Sequence, residues 1–396
     1  MINSYKIFAV LIVICLTFSN CQSQDESKDL SKSVYTESKS ASSNLDNSNQ
    51  QINFSRQNAI TKAVQNASPA IVGITVTEVV KVRYRDSFWD DPLFGRFFGY
   101  DNAPRYKQYE VQGVGSGFII SPDGYILTNH HVAGDASKIV VTLTSGDTYD
   151  ADIIGADMVS DVAVLKIKGK NFPFLKLSNS DDVIIGEWVI AFGNPFGWFY
   201  NNSKPTVTVG VVSNTGVSFV QEDRVYRDMI QTDAAISSGN SGGPLVNALG
   251  EVIGINTVIF STSKSNQGSG SIGIGFSIPV NRVKEVVDLL VKNKKIDRSY
   301  TLGMEVRKID KQLANYFGLK STDGVVVVNM LRDGPAMKAG IEPGDIILKV
   351  NNIPILKEED YQIGVLDAKV GDKLSFSILR DDKEMIKIMT LTPFRR

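Results

Sequence analysis

Cysteine and histidine are scarce in this 396-residue chain. The two cysteines, Cys15 and Cys21, both lie at the extreme N-terminus, so the body of the protein has no thiol with which to build a disulfide. The two histidines, His130 and His131, are adjacent. Two neighbouring imidazoles without a nearby thiol do not make a first coordination shell, so neither a metal nor a cofactor is expected.

Charge of one sign and long apolar runs are also missing. The formal net charge is −1, which excludes the basic character typical of proteins that bind nucleic acids or other polyanions. The apolar run IFAVLIVICLTF at residues 7–18 is too short for a comfortable membrane span. The remainder has short apolar runs separated by Gly, Asn, Asp and Ser, which is typical of a β-rich globular protein of two or three domains.

Residues 1–21 have the pattern of an export signal. Lys6 precedes the apolar run, and small residues lead to Cys21. A cysteine at this point resembles the lipidation site of bacterial lipoproteins, although Phe18-Ser19-Asn20 matches that site only loosely. Lipidation of Cys21, an uncleaved anchor and simple secretion all remain open. Lipidation is the preferred interpretation, and it would hold the protein at a membrane of the cell envelope, in the periplasm.

Residues 22–57 are rich in Ser, Asn, Gln, Lys and Asp, which is typical of a disordered tether. As a flexible coil this segment would span roughly 30–36 Å, enough to hold a globular body just off a membrane surface. The remaining chain is expected to form two folded domains, at residues 58–298 and 299–394.

The first domain is predicted to be mostly β. Short strand patterns such as GVGSGFIIS (113–121), KIVVTL (138–143) and WVIAFGN (188–194) follow one another with glycine-containing turns between them, which favours antiparallel barrels or sandwiches. Residues 280–295 give the first clear helical period and are expected to close this domain. Five apolar residues share one face of that helix: Val283, Val286, Val287, Leu290 and Val291.

The second domain is predicted to mix helix and strand. DGVVVVNMLRDGPAMKAGIEPGDIILKVNNIPI has the pattern of a strand, a loop, a short helix, a glycine turn and a strand, and a hairpin follows that turns near residues 380–383. The aromatic insert at residues 85–112 is too irregular for core strands. It is either a packed loop or a mobile loop whose aromatic side chains contact a neighbouring subunit.

The residues around Ser241 carry the clearest chemical signal. Glycines at positions 239, 242 and 243 allow a tight bend with inward-facing N–H groups. Amide hydrolysis by a serine requires a base, a group that orients the base, and N–H donors for the developing oxyanion. The turn can supply the donors from Gly239 and Ser241, the histidine pair can supply the base, and Asp161, before the apolar strand VAVLKI, can supply the orienting carboxylate.

The order His, Asp, Ser along the chain is that of the chymotrypsin-like proteases with two β-barrels. Successive side chains diverge by at least about 100° along a regular backbone, so only one of two adjacent histidines can face a given serine.

These motifs together resemble the bacterial HtrA (Do-like) serine proteases that carry one C-terminal PDZ domain. The resemblance extends from about Phe54 to Phe394 and rests on YILTNHHV, SDVAVLKI, AFGNPFG, QTDAAI, GNSGGPLV and GIGFSIP, and then on TLGMEV and GPAMKAGIEPGDII. It implies a mostly β fold, with a chymotrypsin-like double six-stranded β-barrel followed by one α+β PDZ domain. It also implies an ATP-independent serine endopeptidase that cleaves misfolded or signal polypeptides in the cell envelope.

The resemblance implies roles for individual residues. His131, directly before the Val of HV, would be the base, with Asp161 its partner and Ser241 the nucleophile. His130 would be a partly exposed bystander. The N–H groups of Gly239, Asn240 and Ser241 would shape the oxyanion hole.

Substrate contacts are implied in the same way. Ile236 and Ile259 would line an apolar S1 pocket, although plain core packing is an equal alternative for both. The strand at Thr257, Val258 and Ile259 would pair with the substrate backbone.

The PDZ module implies a second binding site. The loop at Leu302, Gly303 and Met304 would receive the C-terminal carboxylate of an unfolded or C-terminally exposed polypeptide, which adds as an extra strand. Thr301 stands where the family favours an aromatic residue, which puts the strength of this capture in question. Ser237-Ser238 replaces the family's common Asn-Pro, and the loss of proline should loosen this loop in the resting state.

The family further implies regulation by the PDZ domain and a homotrimer built through the protease domains, with residues 85–112 reaching a neighbouring subunit. The alternative is a binding protein: an envelope chaperone or a PDZ adaptor with little proteolysis. The complete Ser-His-Asp set argues against a pure binder.

Overall fold

The computed structural model describes residues 56–83, 106–194, 204–259 and 273–393. The strands in these ranges form two closed six-stranded barrels and one C-terminal sheet. The prediction of a mostly β fold with two six-stranded barrels and an α+β C-terminal domain is confirmed. Within the described ranges, no helix is long and apolar enough to cross a membrane.

The first barrel is antiparallel, with its strands in the order β1-β2-β3-β6-β5-β4. Helix α1 precedes it and begins with a reciprocal cap, in which Asn58 and Thr61 each accept a hydrogen bond from the other's backbone N–H. The elements are α1 (Ala59–Ala67), β1 (Ile71–Arg83), β2 (Tyr106–Ile119), β3 (Tyr125–Thr128), the short helix α2 (His130–Ala133), β4 (Lys138–Leu143), β5 (Thr148–Asp157) and β6 (Val162–Ile167).

The second barrel is also antiparallel, in the order β10-β11-β12-β9-β8-β7, and helix α3 follows it. A 3₁₀ helix at Ser238–Asn240 leads into β10. The elements are β7 (Trp188–Gly193), β8 (Thr206–Gln221), β9 (Arg224–Thr232), β10 (Pro244–Asn247), β11 (Val252–Ile259), β12 (Gly275–Pro279) and α3 (Val280–Asn293).

The sequence of strand β6 is apolar along most of its length, and the surroundings of the strand explain this pattern. Leu165 and Ile167 lie in the core of the first barrel, whereas Val162 and Val164 belong to a cluster that also contains Leu290 of α3. Since alternate residues of a strand point to opposite faces, both faces of β6 are buried. This cluster joins the first barrel, the second barrel and α3 into one body.

Helix α3 differs from the prediction in its last residue and in the burial of one residue on its apolar face. It ends at Asn293 because Lys294 adopts a left-handed φ of 65° and donates its N–H to the carbonyl of Leu290 at 2.7 Å. Val283, Val286 and Leu290 are buried as predicted, but Val291 is 45% exposed.

The expectation that residues 85–112 form a loop is wrong for residues 106–112. These residues belong to β2 and pair with β1, from Thr77 opposite Gln112 to Arg83 opposite Tyr106. The sequence hides this because the side chains at positions 109–112 are exposed, and a ribbon of two strands is held by backbone hydrogen bonds that need no apolar pattern. Residues 84–105 lie outside the described residues.

The C-terminal sheet has the order β13-β14-β15-β17-β18, with β16 paired to β15. The predicted hairpin is confirmed: Asp381 and Asp382 have φ of 48° and 60°, the positive values that a two-residue type I′ turn requires. The elements are β13 (Met304–Lys308), α4 (Lys311–Tyr316), β14 (Val325–Met330), α5 (Pro335–Lys338), β15 (Ile346–Val350), β16 (Ile353–Pro354), α6 (Glu358–Leu366), β17 (Lys373–Arg380) and β18 (Lys383–Thr390).

Two arginines, each bound to an aspartate, join the barrels to the C-terminal domain: Arg298 donates to the backbone carbonyls of Asp367 and Ala368, and Arg282 donates to the side chain of Asp367. Arg298 donates from Nε and Nη2 to the two carboxylate oxygens of Asp157, at the end of β5, at 2.9 Å each. Arg282 of α3 donates to the two oxygens of Asp367, directly after α6, at 2.6 and 2.9 Å. Both pairs have the two-point geometry that makes arginine–carboxylate contacts specific.

Candidate active site

The three residues predicted to form the triad come from both barrels. His131 lies on α2, after β3, and Asp161 directly precedes β6, so both belong to the first barrel. Ser241 lies between the 3₁₀ helix and β10 of the second barrel. The carbonyl of Ser241 accepts the N–H of Ser116 of β2 at 3.0 Å, which ties the serine to the first barrel.

Asp161 is completely buried and oriented toward His131. Its two carboxylate oxygens lie 2.9 and 2.8 Å from His131 Nδ1, and Oδ1 also accepts the backbone N–H of His131 at 3.0 Å. The backbone of Asp161 has a left-handed φ of 57°, a conformation that non-glycine residues seldom adopt. Since Nδ1 faces the carboxylate, Nε2 is the nitrogen left to accept a proton from a nucleophile.

Two further side chains donate hydrogen bonds to Asp161. Thr257 Oγ1 lies 2.7 Å and Tyr226 OH lies 3.2 Å from Oδ2. Burial by itself raises the pKa of the Asp161 carboxyl, but the hydrogen bond and charge of His131, with the hydrogen bond from Thr257, outweigh burial and hold that pKa below its ordinary value. Burial and the charge of Asp161 raise the pKa of the Tyr226 phenol, so this donor stays neutral.

The adjacent histidines face different surroundings. The side chain of His131 is 33% exposed, whereas His130 as a whole is only 9% exposed. The expectation of a partly exposed His130 is therefore wrong. His130 points inward because residues i and i+4 share a face of a helical turn, and Gly134 packs against its ring: a Cβ on Gly134 would lie 2.5 Å from His130 Cδ2.

The hydroxyl of Ser241 is bound to the backbone rather than to the base. Its Oγ donates to the carbonyl of Thr257 at 3.2 Å, and among the described residues no hydrogen bond joins it to His131. Thr257 therefore contacts two members of the predicted triad: its carbonyl accepts the hydroxyl of Ser241, and its own hydroxyl donates to Asp161.

The backbone directly after Ser241 is tightly packed. A Cβ on Gly242, whose φ is 84°, would lie 2.2 Å from the carbonyl oxygen of Ser116, and one on Gly243 would lie 2.0 Å from that of Phe192. Only glycine fits at these two positions, which is the bend that the sequence predicts.

The predicted oxyanion donors differ in their hydrogen bonding. The N–H of Asn240 donates to the carbonyl of Ser237 at 2.9 Å. The N–H groups of Gly239 and Ser241 make no hydrogen bond to the described part of the chain. The carbonyl of Gly239 accepts from Ser116 Oγ at 2.6 Å, so a buried serine of the first barrel holds this turn.

The predicted substrate-binding residues lie on or near the second barrel. Ile236 is fully buried in an apolar cluster with Ile230 and Leu245, and its side chain packs over Gly275. This location agrees with the core-packing alternative, and an S1 role for Ile236 stays a prediction. Val258 and Ile259 lie in β11 with Thr257, but their side chains lie outside the described residues.

The predicted carboxylate loop of the C-terminal domain precedes β13, an edge strand of its sheet. Gly303 has a left-handed φ of 67°, and a Cβ there would lie 2.9 Å from Pro335 Cδ. The N–H of Gly303 donates to Thr301 Oγ1 at 3.1 Å. One of the loop's donors is thus already occupied by the residue that departs from the family pattern, while Leu302 and Met304 pack partly buried against the core of the domain.

Sequence reasoning missed several residues that contact this site. Tyr226, Arg224 and Ser116 were not predicted, and Thr257 was predicted only for its backbone. Arg224 Nε lies 3.6 Å from Asp161 Oδ1. No local pattern could reveal these residues, because barrel closure brings together residues that are far apart in the chain.

Comparison with known proteins finds relatives of both folded parts of the chain. The family model described as trypsin-like peptidase domain matches residues 115–255, and the model described as PDZ domain matches residues 300–387. A probable periplasmic serine endoprotease DegP-like of Ectopseudomonas mendocina is 40% identical over 333 residues, which cover 81% of this chain and 68% of that protein. A protein of the same name from Chlamydia muridarum is 41% identical over 308 residues, covering 77% and 59%.

Solved structures give the same result. The HtrA-type protease AlgW with decapeptide is 39% identical, with a TM-score of 0.64, and the match covers 85% of this chain and 99% of that one. The serine endoprotease from Yersinia pestis is 32% identical, with a TM-score of 0.56, and the match covers 86% and 99%. The chain therefore belongs to the HtrA family of serine endoproteases, with a trypsin-like peptidase domain and a PDZ domain.

Proposed function

We propose that this serine endopeptidase hydrolyses polypeptides through Ser241, His131 and Asp161. Ser241 Oγ attacks the scissile carbonyl while His131 takes the hydroxyl proton, which it then gives to the leaving amine; water releases the acyl group from Ser241 by the same route. Asp161 stabilises the imidazolium. The observation that carries the proposal is the contact of His131 Nδ1, at 2.9 and 2.8 Å, with both oxygens of a fully buried carboxylate.

The geometry around Ser241 supports a resting state that needs rearrangement before attack. Ser241 Oγ must leave the carbonyl of Thr257 to reach His131. Gly239 lies in a 3₁₀ helix, in which successive N–H groups point the same way along the axis, whereas an oxyanion hole needs the N–H groups of Gly239 and Ser241 to converge. We assign the oxyanion hole to Gly239, Asn240 and Ser241 after this turn has reorganised, and the flexible Ser237-Ser238 pair lowers the cost of that change.

The PDZ domain supplies the second part of the proposal. Its carboxylate loop at Leu302, Gly303 and Met304 would capture exposed C-termini of misfolded or signal polypeptides, and the peptide would extend the sheet beside β13. Arg298, which is bound to Asp157 of β5, donates to the carbonyl of Ala368, and Arg282 of α3 donates to Asp367, so these two arginines connect the PDZ domain to β5 and α3. Peptide capture that alters these contacts would regulate the protease domain. We place the protease domain at residues 58–298 and the PDZ domain at residues 299–394.

Cleavage specificity and assembly complete the proposal. We assign an apolar S1 pocket to Ile236 and Ile259, and pairing with the substrate backbone to Thr257, Val258 and Ile259. A homotrimer built through the protease domains would cover part of the apolar surface at Ile184, Ile185 and Trp188, which are all more than half exposed. Sedimentation of a monomer at micromolar concentration would contradict the trimer.

Localisation follows from the curated relatives, which are named periplasmic endoproteases. We propose that this chain is held at a membrane of the cell envelope through a lipidated Cys21. Mass spectrometry of the mature N-terminus tests the lipid, and a Cys21→Ser variant that stays in the membrane fraction would contradict it.

The triad is tested by cleavage of an unfolded model protein and by labelling with a fluorophosphonate probe. Ser241→Ala is expected to lose on the order of 10⁶ in turnover and all labelling. His130→Ala, the matched control for the adjacent His131, is expected to keep the label because its ring faces the interior. Equal cleavage by wild type and Ser241→Ala would contradict the proposal and favour a mechanism without this serine.

A further inference from the structure

A second cation lies beside the buried carboxylate of the candidate triad. Arg224 Nε is 3.6 Å from Asp161 Oδ1, beyond hydrogen-bond distance but close enough for a strong charge interaction. The side chain of Arg224 is only 20% exposed and that of Asp161 is fully buried. Water therefore screens this pair less than it screens a surface ion pair.

Arg224 is held in place from both sides. Its Nη1 donates to Glu222 Oε2 at 2.5 Å, and Glu222 occupies a left-handed turn with φ of 53° between β8 and β9. The next residue, Val225, donates its N–H to the carbonyl of Val159 at 2.8 Å, which fixes the start of β9 beside the segment that carries Asp161. Arg224 Nε is buried and has no hydrogen-bond partner among the described residues. Its position thus serves a charge interaction rather than a direct hydrogen bond.

The other ionisable groups around Asp161 have different tasks. Tyr226 is a neutral donor, and Glu222 faces Arg224 rather than the carboxylate. Asp157, four residues before Asp161, is paired with Arg298. His131, when protonated, and Arg224 are therefore the two cations that share one carboxylate. A positive charge on Arg224 weakens the stabilisation that Asp161 gives to the imidazolium.

We propose that Arg224 is a positioning residue that sets the acid limit of catalysis by keeping His131 in its neutral, proton-accepting form to lower pH. The proposal rests on the assignment of His131 as the base. Arg224 acts through Asp161 and touches neither substrate nor the reacting atoms. It would extend proteolysis into mildly acidic conditions at the expense of some stabilisation of the imidazolium.

The test uses the full-length protein and its two histidines. Nuclear magnetic resonance with labelled histidine follows the imidazole titration of His131 in wild type, Arg224→Gln and Arg224→Lys, with His130→Asn to assign the two signals. We expect the titration midpoint of His131 to rise by about half a pH unit or more in Arg224→Gln and to stay close to wild type in Arg224→Lys, which keeps the charge. Lys170→Gln, a substitution of an exposed cation after β6, is the control and should change nothing.

Kinetics supply the second readout. The acid limb of kcat/KM for a fluorogenic peptide should move with the His131 titration in Arg224→Gln. The value on the alkaline plateau should equal that of wild type or rise slightly above it, because the imidazolium is then better stabilised. The proposal would be overturned if neither the His131 titration nor the acid limb changed in Arg224→Gln. It would also be overturned by an equal loss of activity at every pH, because such a loss indicates a structural role of Arg224. The titration can be measured without any activity. Failure of the triad assignment would appear as cleavage that survives Ser241→Ala, whereas failure of this inference would appear as an unchanged His131 titration.

Discussion

At the scale of single residues, several of the hydrogen bonds that hold the site run between the two barrels. Ser116 is the clearest case. It is fully buried, donates from Oγ to the carbonyl of Gly239 at 2.6 Å, and accepts the N–H of Asn194 at 2.7 Å, while its own carbonyl accepts from Thr128 Oγ1 at 2.8 Å. One side chain thus links β2, the end of β7 and the turn before Ser241.

Ser116→Ala is expected to lower kcat by about tenfold, because the turn that we propose to supply the oxyanion donors loses the side chain that holds it against the first barrel. KM should change little, since Ser116 is buried and does not contact substrate. Steady-state kinetics measure both constants, and thermal unfolding checks that the cost in stability stays at about 1–3 kcal/mol.

Ser277→Ala is the matched control for this change. Ser277 is also fully buried and donates a single side-chain hydrogen bond, to Asn256 Oδ1 at 2.9 Å, without contacting Gly239. A drop in kcat of the same size in both variants would attribute the effect to lost stability rather than to the turn.

At the scale of elements, the loop before β13 shows how one side chain can compete with a ligand. Thr301 Oγ1 accepts the N–H of Gly303 at 3.1 Å, and Gly303 lies in the loop that we propose to receive the carboxylate of a peptide. A bound C-terminus must displace the hydroxyl before it can use this donor.

Thr301→Val removes the hydroxyl and keeps the shape of the side chain. We expect binding of a hydrophobic C-terminal peptide to tighten by about three- to tenfold, which corresponds to the net value of one hydrogen bond, roughly 0.5–1.5 kcal/mol. Fluorescence polarisation measures the affinity. Ser299→Ala, whose hydroxyl is bound to Asp297 instead, should leave the affinity unchanged. Unchanged or weaker binding in Thr301→Val would show that the hydroxyl does not compete.

At the scale of the whole molecule, charge pairs hold the PDZ domain against the barrels. Asp157 and Arg298 are both largely buried, and Arg298 also donates to the carbonyl of Ala368 at 3.1 Å. Burial raises the pKa of the Asp157 carboxyl, but the hydrogen bond and charge of Arg298 outweigh it, so the pKa lies below its ordinary value of 3.8.

The lowered pKa of Asp157 determines how the contact between the PDZ domain and the barrels depends on pH. Because the folded-state pKa is lowered, the pair contributes its full stability above pH 3.8 and loses it as the pH falls through the lowered value. We expect the PDZ domain to stay docked at neutral and mildly acidic pH and to detach in strong acid. Small-angle scattering at a series of pH values measures the change in radius of gyration.

Arg298→Met should detach the domain already at neutral pH, since it leaves Asp157 buried without its partner. Arg307→Met, which removes an exposed arginine of β13, is the control and should keep the compact form. A radius of gyration that is the same in both variants would show that other contacts dominate the docking.

The sequence alone determined the features that are encoded locally. Short apolar strands predicted antiparallel barrels or sandwiches, and the family resemblance chose the barrels. Adjacent aspartates predicted the turn at residues 381–382, and the glycines after Ser241 predicted a bend that no Cβ can enter. Which of the two histidines contacts Asp161 was implied by resemblance to the family motif, in which the histidine directly before the Val of HV is the base. Where a strand had no apolar pattern, as at residues 106–112, the sequence was silent.

Only the tertiary structure decided which residues surround the site. Thr257 and Tyr226 reach Asp161 across 96 and 65 residues of chain, and Ser116 reaches Gly239 across 123. Such contacts arise when the barrels close and pack together, and their distances depend on strand order and register rather than on neighbouring residues. The burial of His130 has the same origin: α2 has an inner and an outer face only because a barrel lies beneath it.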